Sequence, residues 1–176
     1  MSEKILVAYA SRTGSTREVA EAIGQALAAG EADVDVRSAK DAGDVAAYDA
    51  VVIGSAIRAG KWLPEATKLV SANREVLAER PVAYFVVCLT MKDNTRESRK
   101  TVSAYLDPVR ALVEPVSVGL FAGTLDYDRL PLPLRPIMKY GFKAPAGDFR
   151  DFGAIRAWAA SLLPSLTGAD SVAVGH

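Results

Sequence analysis

The chain has 176 residues, half of them apolar and a quarter charged, with 21 basic residues balanced by 21 acidic ones. A single cysteine, Cys88, excludes an intrachain disulfide, and nothing in the charge balance favours nucleic acid as a partner. The single histidine, His176, removes most metal sites and any Ser–His or Cys–His nucleophile pair, so enzymatic chemistry is expected to reside in a bound cofactor.

The first element is the apolar run Ile5-Leu6-Val7-Ala8-Tyr9-Ala10, a buried strand over 4–9. With a strand this early no targeting peptide is expected, and no apolar run approaches the length of a membrane span. The expected location is cytoplasmic. The strand runs into Ser11, Arg12, Thr13, Gly14, Ser15 and Thr16, a hydroxyl-rich loop with one glycine. A helix over 14–29 follows, with Val19, Ala20, Ile23 and Leu27 on one face. Backbone N–H groups, hydroxyls and a helix N-terminus converge there, and a phosphate is the expected guest. The loop is neither a P-loop nor G-x-G-x-x-G. It also suits a plain turn in which Thr13 or Ser15 caps the helix.

The pattern continues with strands over 34–36 and 50–54, a helix over 63–79 opened by Pro64, and a strand over 82–88. A helix over 95–112, a strand over 116–123 and a last helix over 151–163 follow. Continuous Val/Ile runs indicate strands covered on both faces, hence a parallel sheet between helix layers. Residues 1–166 read as one α/β domain, and 167–176 as a disordered tail. Residues 124–150 are too long for an ordinary connection; they hold four prolines and a short helix is expected at 134–142.

Two further loops leave strand ends: residues 54–62, holding Ala56, Ile57, Arg58, Gly60, Lys61 and Trp62, and the run Cys88-Leu89-Thr90-Met91. Trp62 suits either stacking on a ring or packing as the first apolar residue of the next helix. Arg12 suits either a phosphate contact or solvent, and Cys88 reads as an inert buried thiol. Segments 54–62, 89–100 and 126–150 each carry a net charge of +2, so the rim of the site is basic while the remainder is acidic. Scattered solvated side chains would give the same sum. Residues 130–142 mix apolar and basic side chains, which fits a headgroup contact, a cover over an apolar ligand, or a loop packed on the sheet edge.

The loop at 11–16 resembles the FMN phosphate loop of flavodoxins. The runs Val-Val-Ile-Gly-Ser-Ala-Ile-Arg-Ala-Gly at 51–60, Gly-Thr-Leu-Asp-Tyr at 123–127 and Arg-Pro-Ile-Met-Lys-Tyr-Gly-Phe at 135–142 are similar to the flavodoxin-domain family that includes bacterial menaquinone-dependent protoporphyrinogen IX dehydrogenase. The resemblance implies a three-layer flavodoxin-like sandwich with a five-stranded parallel sheet of order 2-1-3-4-5 and an extended loop before the last helix. It implies FMN, with residues 11–16 on the phosphate, 56–62 beside the ring and 88–91 at its pyrimidine edge. Gly60 is then the peptide that reorients on reduction. The implied partners are a small-molecule substrate, with a porphyrinogen as the lead, and a quinone. A peripheral contact with the inner face of a membrane through 130–142 and a homodimer are compatible with the family. The alternative within the same fold is a one-electron carrier that meets a protein partner, for which a basic rim is unusual. No residue is assigned as acid or base.

Overall fold

The computed structural model describes residues 3–11, 14–58, 60–88, 91, 95–125, 147–148 and 150–167. Strands β1 (Lys4–Ala10), β2 (Asp33–Ser38), β3 (Ala50–Arg58), β5 (Val82–Val87) and β6 (Ser117–Phe121) form a parallel sheet of order β2-β1-β3-β5-β6. Counted among the parallel strands alone, this is the expected 2-1-3-4-5. The numbering shifts because a short strand β4 (Lys61–Trp62) pairs antiparallel with the end of β3.

Strand side chains alternate between two cores. Leu6, Ala8, Val51, Ile53, Val82, Tyr84 and Val86 face one, with residues of α2 (Pro64–Ala72), α3 (Arg74–Leu77), α4 (Arg96–Ala104) and α5 (Asp107–Leu112). Ile5, Val7, Val52, Ala83, Phe85 and Val87 face the other, with α1 (Ser15–Ala29) and α6 (Phe152–Thr167). Two short strands, β7 (Thr124–Leu125) and β8 (Gly147–Asp148), pair antiparallel with each other. The helix expected at 134–142 and the tail after 167 lie outside the described residues.

Three elements depart from expectation. The helix expected over 63–79 breaks at Asn73, whose side-chain amide donates to the Leu69 carbonyl at 2.9 Å and draws the chain out of register. The helix expected over 95–112 is two helices, because Pro108 has no N–H to continue the first and opens the second instead. The last helix continues through Pro164 to Thr167. Leu166, 2% exposed, holds the final turn on the core, and the Thr167 hydroxyl donates to the Leu163 carbonyl at 2.7 Å.

Gly54 sits at the centre of the sheet, where a Cβ would lie 2.0–2.2 Å from three atoms of the Phe85 ring. Phe85 fills that space and meets Trp158 edge-on at 6.4 Å. Gly54→Ala should therefore cost about 1–3 kcal/mol by overpacking. Each kcal/mol lowers the melting temperature by roughly 2–4 °C in a chain of this size, which calorimetry reads directly.

Tyr84 is wholly buried and donates to the Val113 carbonyl at 2.7 Å. Burial, assisted by the charge of Glu114, pushes its phenol well above the ordinary value of 10.0. A raised folded-state value leaves this stabilisation intact below the unfolded value and removes it as pH rises above 10.0. Denaturant melts should show Tyr84→Phe about 1 kcal/mol weaker at pH 7 through the lost hydrogen bond, yet losing less further stability than the parent above pH ~10.

Candidate functional site

The parallel registers put the ends of three strands side by side. Ala10 lies opposite Ser55, and Ala56 opposite Val87, so the chain leaves β1, β3 and β5 along one edge of the sheet. This edge lies where the winding direction changes between β1 and β3, the position at which open α/β sheets bind ligands.

The first loop builds an anion cradle. Gly14 adopts φ +90°, the left-handed region, and open space surrounds the place where a side chain would stand. Its N–H donates to Ser11 Oγ at 2.9 Å, which closes the turn. Gly14 is also the N-cap of α1, and no side chain caps this helix. The capping alternative for Ser15 is thus not the arrangement adopted, and the leading N–H groups are left for an external acceptor. Ser15 and Thr16 are buried, and Thr16 Oγ1 is a buried hydroxyl oxygen with no hydrogen-bond partner. A buried hydroxyl without a partner is costly, and a phosphate oxygen at this terminus supplies one. Arg12 and Thr13 lie outside the described residues.

The second segment is not a loop throughout, as expected from the sequence, but a β-hairpin. β3 runs on through Ala56, Ile57 and Arg58, and the chain returns through Gly60 as Lys61 and Trp62. Gly60 has φ +73°, which is why the turn carries glycine. Ala56 and Ile57 pack partly buried on the core, whereas Arg58 and Lys61 are exposed. Trp62 is 5% exposed and meets Tyr84 edge-on at 5.1 Å. It occupies the packing role, with its ring inside the core.

The root of this hairpin is held by Ser55, a residue that sequence reasoning passed over as part of an undifferentiated loop. Ser55 is wholly buried; its Oγ accepts from the Leu63 N–H at 2.9 Å and donates to the Ala56 carbonyl at 2.7 Å. A serine after a continuous apolar strand was the available signal.

The third loop begins with Cys88, whose N–H donates to the Phe121 carbonyl at 3.0 Å, and Met91, whose N–H donates to the Cys88 carbonyl at 3.2 Å. These two N–H groups are occupied within the protein, and the Met91 side chain is buried in the core. Leu89 and Thr90 lie outside the described residues. Beside the first loop, a cleft of about 100 Å³ is lined by Tyr9, Ser11, Ser38, Lys40 and Glu65 among others. That is well below the ~300–1,000 Å³ of typical ligand pockets, so this cleft alone does not hold a flavin. A second residue missed as a site element is Arg150, which reaches the first turn of α1. Among the described residues no cluster of His, Cys, Asp and Glu is arranged to hold a metal, and no helix is long and apolar enough to cross a membrane.

Comparison with known proteins agrees with this geometry. Residues 6–151 match the Flavodoxin domain family. The chain is 28% identical over 173 residues to a protoporphyrinogen IX dehydrogenase [quinone] of Leishmania major, covering 90% of this chain and 74% of the relative. Among solved structures, oxidised flavodoxin 2 from Bacillus cereus is 22% identical with a TM-score of 0.56, covering 92% of this chain and 99% of that one. A Lactobacillus acidophilus flavoprotein in complex with FMN is 17% identical with a TM-score of 0.52, covering 68% and 93%. FMN is the cofactor of flavodoxin domains, and the uncapped α1 terminus, the open Gly14 turn and the unpartnered Thr16 hydroxyl fit its phosphate. Thr16→Val keeps the shape and removes the hydroxyl. It should weaken FMN binding by about tenfold, the equivalent of ~1.4 kcal/mol, in a fluorescence-quenching titration of the apoprotein. By the match over most of its length, the chain belongs to the flavodoxin-domain family.

Proposed function

We propose that the protein is an FMN-dependent oxidoreductase that takes electrons from a reduced, largely apolar substrate bearing carboxylates, with a porphyrinogen as the leading candidate, and passes them to a quinone. The observation that carries this reading is the pair of cations on the hairpin. Arg58 and Lys61 stand directly opposite each other in the antiparallel register. Directly opposed side chains share one face, and like charges there repel. Among the described residues neither is engaged in an ion pair. Two uncompensated cations at the mouth of the site suit an anionic ligand better than an acidic protein partner. The dehydrogenase of Leishmania major supports the same direction, since its name specifies a porphyrinogen and a quinone.

When bound, FMN supplies an electron acceptor that exchanges electrons singly or in pairs. The chain's own residues divide the remaining work. Ser11, Gly14, Ser15 and Thr16 anchor the phosphate, the Gly60 turn offers a peptide free of a side chain, and Arg58 and Lys61 orient the substrate carboxylates. The second reading, a one-electron carrier, shares the pocket and requires no substrate site.

An anaerobic reductive titration of the FMN-loaded protein, followed by visible absorbance, separates the two. The expected result is reduction in one two-electron stage and rapid reoxidation by a menaquinone analogue. Two well-separated one-electron stages would overturn the dehydrogenase reading. With a dicarboxylate porphyrinogen as substrate, R58E/K61E should raise KM by at least about tenfold, as the loss of charge-assisted contacts requires, with a smaller change in kcat.

A further inference from the structure

The first turn of α1 contains an apparent contradiction. Its terminus is built for a phosphate, yet Glu18 places a carboxylate in that same turn. A carboxylate there is favourable to the helix dipole when the site is empty. It opposes a phosphate, which carries about −1.5 to −2 charges at neutral pH. The structure resolves the conflict from far along the chain. Arg150, which follows β8, extends its guanidinium to the first turn of α1, where it contacts Glu18 Oε2 and approaches the Ser15 carbonyl at 3.4 Å. The Arg150 side chain is 8% exposed, against 41% for Glu18. The guanidinium also lies over the Phe152 ring, 4.9 Å from its centre, a cation–π contact.

A guanidinium withdrawn from water to this degree, with a carboxylate partner 132 residues away in sequence, is fixed by packing rather than drawn from solvent. Its two contacts, Ser15 and Glu18, flank Thr16 in sequence, whose buried hydroxyl has no partner. We propose that Arg150 is a positioning residue for the cofactor: by neutralising Glu18 and fixing the Ser15 peptide, it makes the start of α1 receptive to the FMN phosphate. This rests on FMN binding alone and does not depend on the identity of the substrate or electron acceptor.

The test is a cycle of FMN affinities measured by fluorescence quenching on apoprotein, with thermal melts of each variant. R150Q should weaken FMN by about tenfold or more, because the first turn of α1 then loses the positive charge that Arg150 sets against Glu18. E18Q alone should bind FMN at least as tightly as the parent. R150Q/E18Q should recover affinity to within about threefold of the parent, since the repulsion is gone. Riboflavin, which lacks the phosphate, should be bound with equal affinity by R150Q and parent. R150K, which retains the charge, should stay closer to the parent than R150Q and covers the case in which R150Q does not fold. Unchanged FMN affinity in R150Q, or a loss that E18Q fails to repair and that riboflavin shares, would overturn the proposal and leave Arg150 as a packing residue only.

Discussion

The parallel strands of this sheet must be joined by crossovers, and helices must cover both faces because both faces are apolar. That constraint governs the rest of the molecule. It sends Ile5, Val7, Phe85 and Val87 into one core and Leu6, Val51, Tyr84 and Val86 into another. It also aligns the chain so that β1, β3 and β5 all end at one edge. Backbone polar groups that would be paired inside the sheet are released there together, and the site is assembled from what the strands leave behind. Gly54 shows how tightly the constraint acts, since the space for its side chain is taken by Phe85 of the neighbouring strand.

The sheet was legible in the sequence because buried parallel strands are short, continuous apolar runs, and Ile5 to Ala10, Ala50 to Gly54 and Val82 to Val87 read as nothing else. The turn between β1 and α1 was legible for a different reason: few arrangements require Ser, Thr, Gly, Ser and Thr together between a strand and a helix. What sequence spacing could not convey was where helices stop. Pro108 was visible, and its position as a helix opener was the overlooked signal. Asn73 offered no such warning, because its break depends on an amide reaching back to the Leu69 carbonyl.

The site residues divide along the same line. Gly14 and Gly60 both adopt positive φ, as turn positions with glycine suggest. Trp62 carried two readings of equal chemical sense, and only the three-dimensional packing against Tyr84 separates them. The contact of Arg150 with the first turn of α1 was invisible for a simple reason. Its partner, Glu18, is at the opposite end of the chain, and no local pattern reports a contact of that sequence separation. In the sequence it counted merely as one charge in a basic segment.

Ser55 anchors the hairpin at its root, through one hydroxyl that joins the end of β3 to the start of α2. The tip, with Arg58, Gly60 and Lys61, makes no comparable demand on the core. Under the proposed function, positioning and recognition fall to different residues of the same short arm. Such a division lets ligand preference drift while the scaffold stays still. A mutational library built on this arm would vary Arg58 and Lys61 freely, keep Gly60 for the turn, and hold Ser55 constant as the pivot.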